Sequence, residues 1–211
     1  MSILIWPEPG REAGKARDMA GVTWLDRNEQ WVILAKGVVV SWGEPPVRGK
    51  SLMVKGGQIC GLCDAGQVGG STQPGTRVVD LSHWHLVPAL VDAHIHLALG
   101  RAADPTERLL RCLEAGIAAV RDGGGREPER LLEAVERLPG VLEVQGCGWA
   151  LHAPGGYGGF LGRPVRDMAQ FRDVLRHLEE MGAFFLKILL TGPVDFASGQ
   201  VEQGPVFGRA D

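Results

Sequence analysis

Leu86-Val87-Pro88-Ala89-Leu90-Val91-Asp92-Ala93-His94-Ile95-His96 is the stretch on which the fold turns. Its first six residues are apolar almost without a break, the mark of a strand buried on both faces. The run ends in two histidines spaced two apart. Side chains at that spacing in an extended segment point to the same side, so His94 and His96 can approach one cation together. Imidazole suits zinc and similar divalent ions. A bare His-x-His also occurs on surfaces, but this one directly follows a strand, where α/β active sites form. His83-Trp84-His85 has the same spacing but precedes the apolar run, at the opposite end, and reads as structural.

Downstream the rhythm is strand, loop, helix. Asp104-Pro105-Thr106-Glu107 is a capping-box-like start with Pro at the first helical position. Leu109, Leu110 and Leu113 follow at helical spacing until Gly116. Ile117–Arg121 is a second strand, ending in Asp122-Gly123-Gly124-Gly125. Pro128 opens a second helix through Leu131, Leu132, Val135 and Leu138, stopped by Pro139-Gly140. Val141–Val144 starts a third strand, 167–181 is a third helix, and Phe184–Leu190 is a fourth strand. Such alternation implies parallel strands with right-handed crossovers. Four strands and three helices fit an open doubly wound sheet or part of a (β/α)₈ barrel. A full barrel needs about 250 residues, and residues 86–211 amount to about half of that.

Upstream the texture is different. Trp31–Val40 is rich in β-branched residues, Ser51–Lys55 and Gln58–Cys60 flank Gly56-Gly57 as a hairpin, and Arg77–Leu81 is a further strand. Short strands without a helix predict a small β-sandwich over 31–85. Residues 1–30 are polar and aperiodic and read as an irregular arm.

Composition narrows the function classes. The 211 residues are 45% hydrophobic, enough for a real core, and the 31 glycines fall in turn-like clusters. Net charge is −3 with no basic run, which argues against nucleic acid or an acidic membrane as the main partner. No signal peptide or bilayer-length apolar run is visible, and four cysteines do not make a disulfide scaffold. A cytoplasmic location is the expectation. Cys60-Gly61-Leu62-Cys63 has zinc-site spacing, but Cys112 and Cys147 lie far away and apart, so it reads as part of a strand.

Lys187 is a cation in the middle of the apolar run Phe184–Leu190. Burial of an unpaired ammonium is costly, so its pKa should fall or it must find a partner. A neutral buried amine can react with CO2 to form an anionic carbamate. The alternatives are a pair with a carboxylate such as Asp122, or snorkelling to the rim. His152-Ala153-Pro154-Gly155-Gly156-Tyr157-Gly158-Gly159 could form a mobile lid or a plain irregular connection. His177, in a charged helix, reads as solvated.

Taken in order, these motifs resemble the amidohydrolase superfamily over about 31–211. Leu86–Leu97 resembles its strand-one signature, with Ala89 where glycine is usual. Gly116–Gly124 looks like its second strand and glycine turn. Phe185-Leu186-Lys187-Ile188-Leu189-Leu190-Thr191-Gly192 is similar to the strand carrying a carboxylated lysine in the two-metal branch. Gly56-Gly57-Gln58-Ile59 and Val78-Val79-Asp80-Leu81 match its N-terminal β-sandwich. The imidazolonepropionase-related and Xaa-Pro dipeptidase-like members look closest.

The resemblance implies an α/β fold, an incomplete (β/α)₈ TIM-like barrel of about four strands over 86–211. It implies a divalent metal, zinc, with up to two ions in a complete enzyme. His94 and His96 would hold the more buried ion, and a CO2-derived carbamate on Lys187 would bridge both. The activity implied is hydrolysis of C–N bonds in a small amide, cyclic amide or dipeptide through a metal-activated water. Tyr157 stands where the family's substrate-side loop reads Gly-Gly-His, making Tyr157 and His152 candidate substrate contacts. Two later histidines and the catalytic strand-eight aspartate have no counterpart in this chain, so no catalytic residue is assigned. The expectation is therefore an oligomer or a complementing C-terminal half. A non-catalytic fragment that associates with a partner chain is the alternative. A phosphate cradle at Asp122-Gly123-Gly124-Gly125 fits neither the dinucleotide fingerprint nor the P-loop spacing.

Overall fold

The computed structural model describes residues 28–67, 75–99, 104–138, 142–204 and 207. Most of the expected N-terminal arm, the Pro139-Gly140 helix stop and Val141 lie outside them. The chain divides into two compact units, Met1–Leu90 and Val91–Asp211.

In the first unit, β1 (Gln30–Val38), β2 (Lys50–Lys55), β3 (Gln58–Asp64) and β4 (Thr76–Leu86) form one sheet in the order β3-β2-β1-β4. The expected hairpin is present. Lys55 faces Gln58 across Gly56 and Gly57, whose φ values of 61° and 73° are those of a two-residue type I′ turn. β1 runs antiparallel to β2 and parallel to β4. Ile33, Leu52 and Val54 form its core, with Trp31, Leu62, Val79, Leu81 and Leu86 packed around them. In place of two facing layers, the described strands pair edge to edge as a single layer. Cys60 and Cys63 on β3 are free thiols. His83 and His85 lie on β4, both exposed.

The second unit alternates strands and helices: β5 (Leu90–Ile95), α1 (Pro105–Glu114), β6 (Ile117–Asp122), α2 (Pro128–Arg137), β7 (Glu143–Gly146), β8 (Ala150–His152), β9 (Gly162–Pro164), α3 (Met168–Glu180) and β10 (Ile188–Leu189). The three expected helices all form. Asp104 caps α1 by accepting from the Thr106 N–H at 2.9 Å, while Glu107, the other half of the predicted box, turns to Arg111 at 2.6 Å. Asp167, expected inside the third helix, is its N-cap and accepts from Gln170 N–H. Each helix buries one stripe: Leu109 and Leu113, Leu131 and Ala134, Val174 and Leu178. His177 is exposed and bonds through Nδ1 to the Asp173 carbonyl.

Two sheets result, ordered β5-β6-β7 and β10-β8-β9, with β6 parallel to β7 and β8 parallel to both its neighbours. This differs from expectation in two places. The apolar run expected as one strand buried on both faces is divided: Leu86 ends β4, 87–89 lie in no strand and β5 begins at Leu90, and Val87, Leu90 and Val91 are 65%, 59% and 68% exposed. β5 has β6 on one side and is an edge, so its apolar composition meets no covering layer among the described residues. The fourth strand contracts from Phe184–Leu190 to Ile188–Leu189. It pairs with β8, which falls where periodicity assigns no element and ends on the first residue of the expected loop, and Phe184 N–H reaches the end of β7 at the Gly146 carbonyl. Along this segment Phe184, Leu186, Ile188 and Leu190 are exposed and the residues between them half-buried, so one face again lacks a cover.

Candidate metal centre

The end of β5 and the turn after β6 are sewn together through backbone groups. Gly123 N–H donates to the Ile95 carbonyl at 2.7 Å. The Asp122 carboxylate, 2% exposed, accepts from Leu97 N–H at 2.6 Å and from Gly124 N–H at 2.9 Å. Arg108 on α1 donates to the carbonyls of His96 and Leu97 at 3.2 and 2.8 Å. These bonds fix the backbone on which both histidines sit. Asp122 is thereby taken, and the alternative of an Asp122–Lys187 pair is not realised.

His96 Nδ1 lies 2.8 Å from the Gly124 carbonyl. A carbonyl only accepts, so Nδ1 carries the proton and the neutral ring presents Nε2 as a free lone pair. A histidine oriented this way is set up as a metal ligand. His94 Nε2 lies 3.0 Å from Lys187 Nζ, and the two imidazole rings meet edge-on with centroids 5.2 Å apart. Lys187 is half-buried, and its carbonyl accepts from Leu151 N–H at 2.8 Å, which anchors it to β8.

Gly123 marks where the three side chains meet. A Cβ at that position would stand 2.6 Å from Lys187 Nζ, 2.7 Å from His96 Cε1 and 3.0 Å from His94 Nε2. A side chain there could be accommodated only by shifting these groups, so glycine lets the two imidazoles and the amine pack together against the turn. The neighbouring Lys187 ammonium holds the His94 pKa below the usual imidazole value, helped by burial and by His96 and opposed by Asp92 and Asp122. Cys147 lies behind the turn, fully buried; burial, then the Asp122 carboxylate, pushes its thiol up to about 11. It therefore stays protonated, as a packing residue.

The two imidazole rings and the Lys187 side chain that meet at Gly123 bring donor types that suit a divalent cation once Lys187 is not an ammonium, but they are fewer than the four ligands of a closed zinc shell. Among the described residues, no three His, Cys, Asp or Glu side chains cluster as a metal group. Tyr157 and His152 are placed elsewhere. Tyr157 is half-buried, its N–H bonded to Gln203 Oε1 at 3.0 Å and its ring edge-on to Phe160. His152 is buried on β8, in register with Leu189. The reading of sequence missed the structural work of Asp122, Arg108 and Gly123. A carboxylate at a strand end followed by three glycines was the available signal for the first and last.

No family model matches the chain, and no curated protein matches it in sequence. Its fold is that of prolidase and amidohydrolase structures. A Xaa-Pro dipeptidase with bound methionine in the active site superposes with a TM-score of 0.66 at 18% identity, over 85% of this chain and 51% of that one. A prolidase complexed with N-methylphosphonate-L-proline gives 0.64 at 20% identity, over 84% and 50%. An amidohydrolase gives 0.62 at 21% identity, over 83% and 50%. The chain spans about half the length of the solved structures it matches.

Proposed function

We propose that the chain is the N-terminal part of an amidohydrolase-superfamily enzyme that hydrolyses C–N bonds of small amides, cyclic amides or dipeptides. The convergence of His94, His96 and Lys187 on Gly123 carries this reading. His94 and His96 would hold a divalent metal, zinc by donor type. Lys187, as its CO2-derived carbamate, would bridge to a second ion. When bound, such a metal acidifies a water and polarises a carbonyl. The chain's own residues do the positioning. The Gly124 carbonyl fixes the His96 tautomer, Asp122 and Arg108 hold the backbone carrying both histidines, and Gly123 lets the imidazoles and the amine pack against the turn. Tyr157 and His152 border the substrate side.

In this reading residues 31–85 are the small β domain and 86–211 the first four strands of a TIM-like barrel. The remaining ligands and the aspartate that moves the proton come from further polypeptide, in a longer chain or a second one. The uncovered apolar faces at Val91 and at Phe184–Leu190 support such a partner. No helix among the described residues is long and apolar enough to cross a membrane, and the four cysteines are free; a cytoplasmic location is proposed. Cobalt titration in bicarbonate buffer tests the centre. Weak binding by this chain, lost on His96→Ala, is the expected result. Equal uptake by the wild type and the variant would refute it.

A further inference from the structure

Phe196 is 97% exposed, yet the backbone that carries it is firmly closed. Residues 192–203 form a hairpin joined by main-chain bonds of 2.7 to 3.0 Å. Gly192 N–H donates to the Gln203 carbonyl, Glu202 N–H to that of Pro193, Asp195 N–H to that of Gln200 and Gly199 N–H to that of Asp195. The Asp195 carboxylate fastens the tip by accepting from Ala197 N–H and Ser198 Oγ. Val194 and Val201, bridged across the hairpin, are also exposed and form an apolar collar behind the ring. A phenyl group held out in water on such a support is a preorganised anchor, because its backbone has little freedom left to lose on burial.

The same unit holds a space of matching size and chemistry. Between α2 and the segment after α3 lies a cleft of about 130 Å³, walled by Leu131, Leu132, Val135, Val144, Met181 and Phe184. An apolar cavity of about 150 Å³ takes in a benzene ring, so the scale is that of one phenyl side chain. Leu132 and Phe184 are 42% and 66% exposed, so the cleft is open from outside. Phe196 is exposed and therefore does not fill the cleft of its own chain. Charge fits as well. Arg126, beside the lining residue Gly125, is exposed, and the adjoining Glu127 is paired with Arg130 at 3.5 Å. Asp195, beside Phe196, supplies the opposite sign.

We propose that Phe196 of one copy docks into this cleft on a second copy, with Asp195 set against Arg126. The anchor and the cleft are different parts of the chain, so the contact is heterologous. Each copy keeps one anchor or one cleft free, and copies join head to tail into open chains or rings. Nothing in this contact involves His94, His96 or Lys187, and it stands apart from the reading of the metal centre.

Sedimentation velocity on the full chain is the test, in a Val91→Lys, Ile188→Lys background that suppresses association through the strand edges. The sedimentation coefficient of this parent should rise with concentration. Phe196→Ser removes the anchor and keeps the cleft, whereas Leu132→Arg obstructs the cleft and keeps the anchor. Each should weaken association by roughly tenfold or more. Mixed in equal amounts, the two variants should form a one-to-one dimer and nothing larger, since the cleft of the first can still take the anchor of the second. Both substituted side chains are exposed, so the fold should persist, as circular dichroism will show. Should Leu132→Arg nevertheless unfold, labelling with 4-fluorophenylalanine decides: the fluorine resonance missing from Phe196→Ser should shift with concentration in the parent. A parent that stays monomeric, which leaves the cleft to another occupant, overturns the proposal. So does a Phe196→Ser variant that associates as its parent does, or a mixture that stays monomeric.

Discussion

Lys187 Nζ stands 3.0 Å from His94 Nε2, a contact between residues 93 positions apart in the chain. An amine facing an imidazole nitrogen makes each partner's charge depend on the other's. With Lys187 cationic, His94 resists protonation, and its pKa falls below 6.5. The unfolded chain then binds more protons than the folded one below that pH, so this group's share of stability is intact above pH 6.5 and declines as pH falls through it.

Lys187→Met should therefore raise the His94 pKa toward its ordinary value, read by NMR titration of the imidazole. Carbamylation would go further, because it replaces a cation with an anion. In bicarbonate buffer the wild-type His94 pKa should move up, relative to CO2-free buffer. No difference between the two buffers would count against a carbamate at this position.

Gly123→Ala places a methyl among His94, His96 and Lys187, at separations as short as 2.6 Å. The clashing atoms are ends of side chains, so the variant should fold, with a loss of about 1 kcal/mol or less. Divalent-metal affinity should nonetheless drop by at least tenfold in calorimetric titration, since the ligands are pushed apart. Unchanged affinity would mean that the three side chains do not share one cation.

Asp122→Asn turns one of two buried acceptor oxygens into a donor that faces the N–H of Leu97 or Gly124. Hydrogen bonds to charged groups contribute about 1.5–3 kcal/mol, and a loss of that size is expected in urea denaturation. His96 should also lose its fixed tautomer, because the Gly124 carbonyl moves with the turn.

The uncovered apolar faces make an independent prediction. Val91, Ile188 and Leu190 are exposed, and β5 and β10 are each an outer strand of their sheets among the described residues; such edges associate. Sedimentation velocity should show concentration-dependent self-association, reduced by Val91→Lys combined with Ile188→Lys. A strictly monomeric wild type at high concentration would refute it.

Much of this was legible in the sequence because it is local. Helix caps at Asp104 and the start at Pro128, the type I′ turn at Gly56-Gly57 and the same-side pairing of His94 with His96 depend on neighbours a few residues away, and periodicity encodes those directly. The apolar composition of Leu86–Val91 pointed to a strand, but the structure ends β4 at Leu86 and begins β5 only at Leu90, and it leaves Leu90 and Val91 exposed, because burial is a property of what lies alongside. Tertiary structure alone decided the rest. It turned Asp122 away from Lys187 and onto two backbone amides, and recruited Arg108 from a helix. It made a strand, β8, of a stretch that periodicity leaves unassigned and paired it with the fourth strand. It also brought an amine from residue 187 against an imidazole at residue 94. Each of these couples groups distant in sequence, and no local preference specifies which of many possible partners satisfies a buried charge or an unpaired strand.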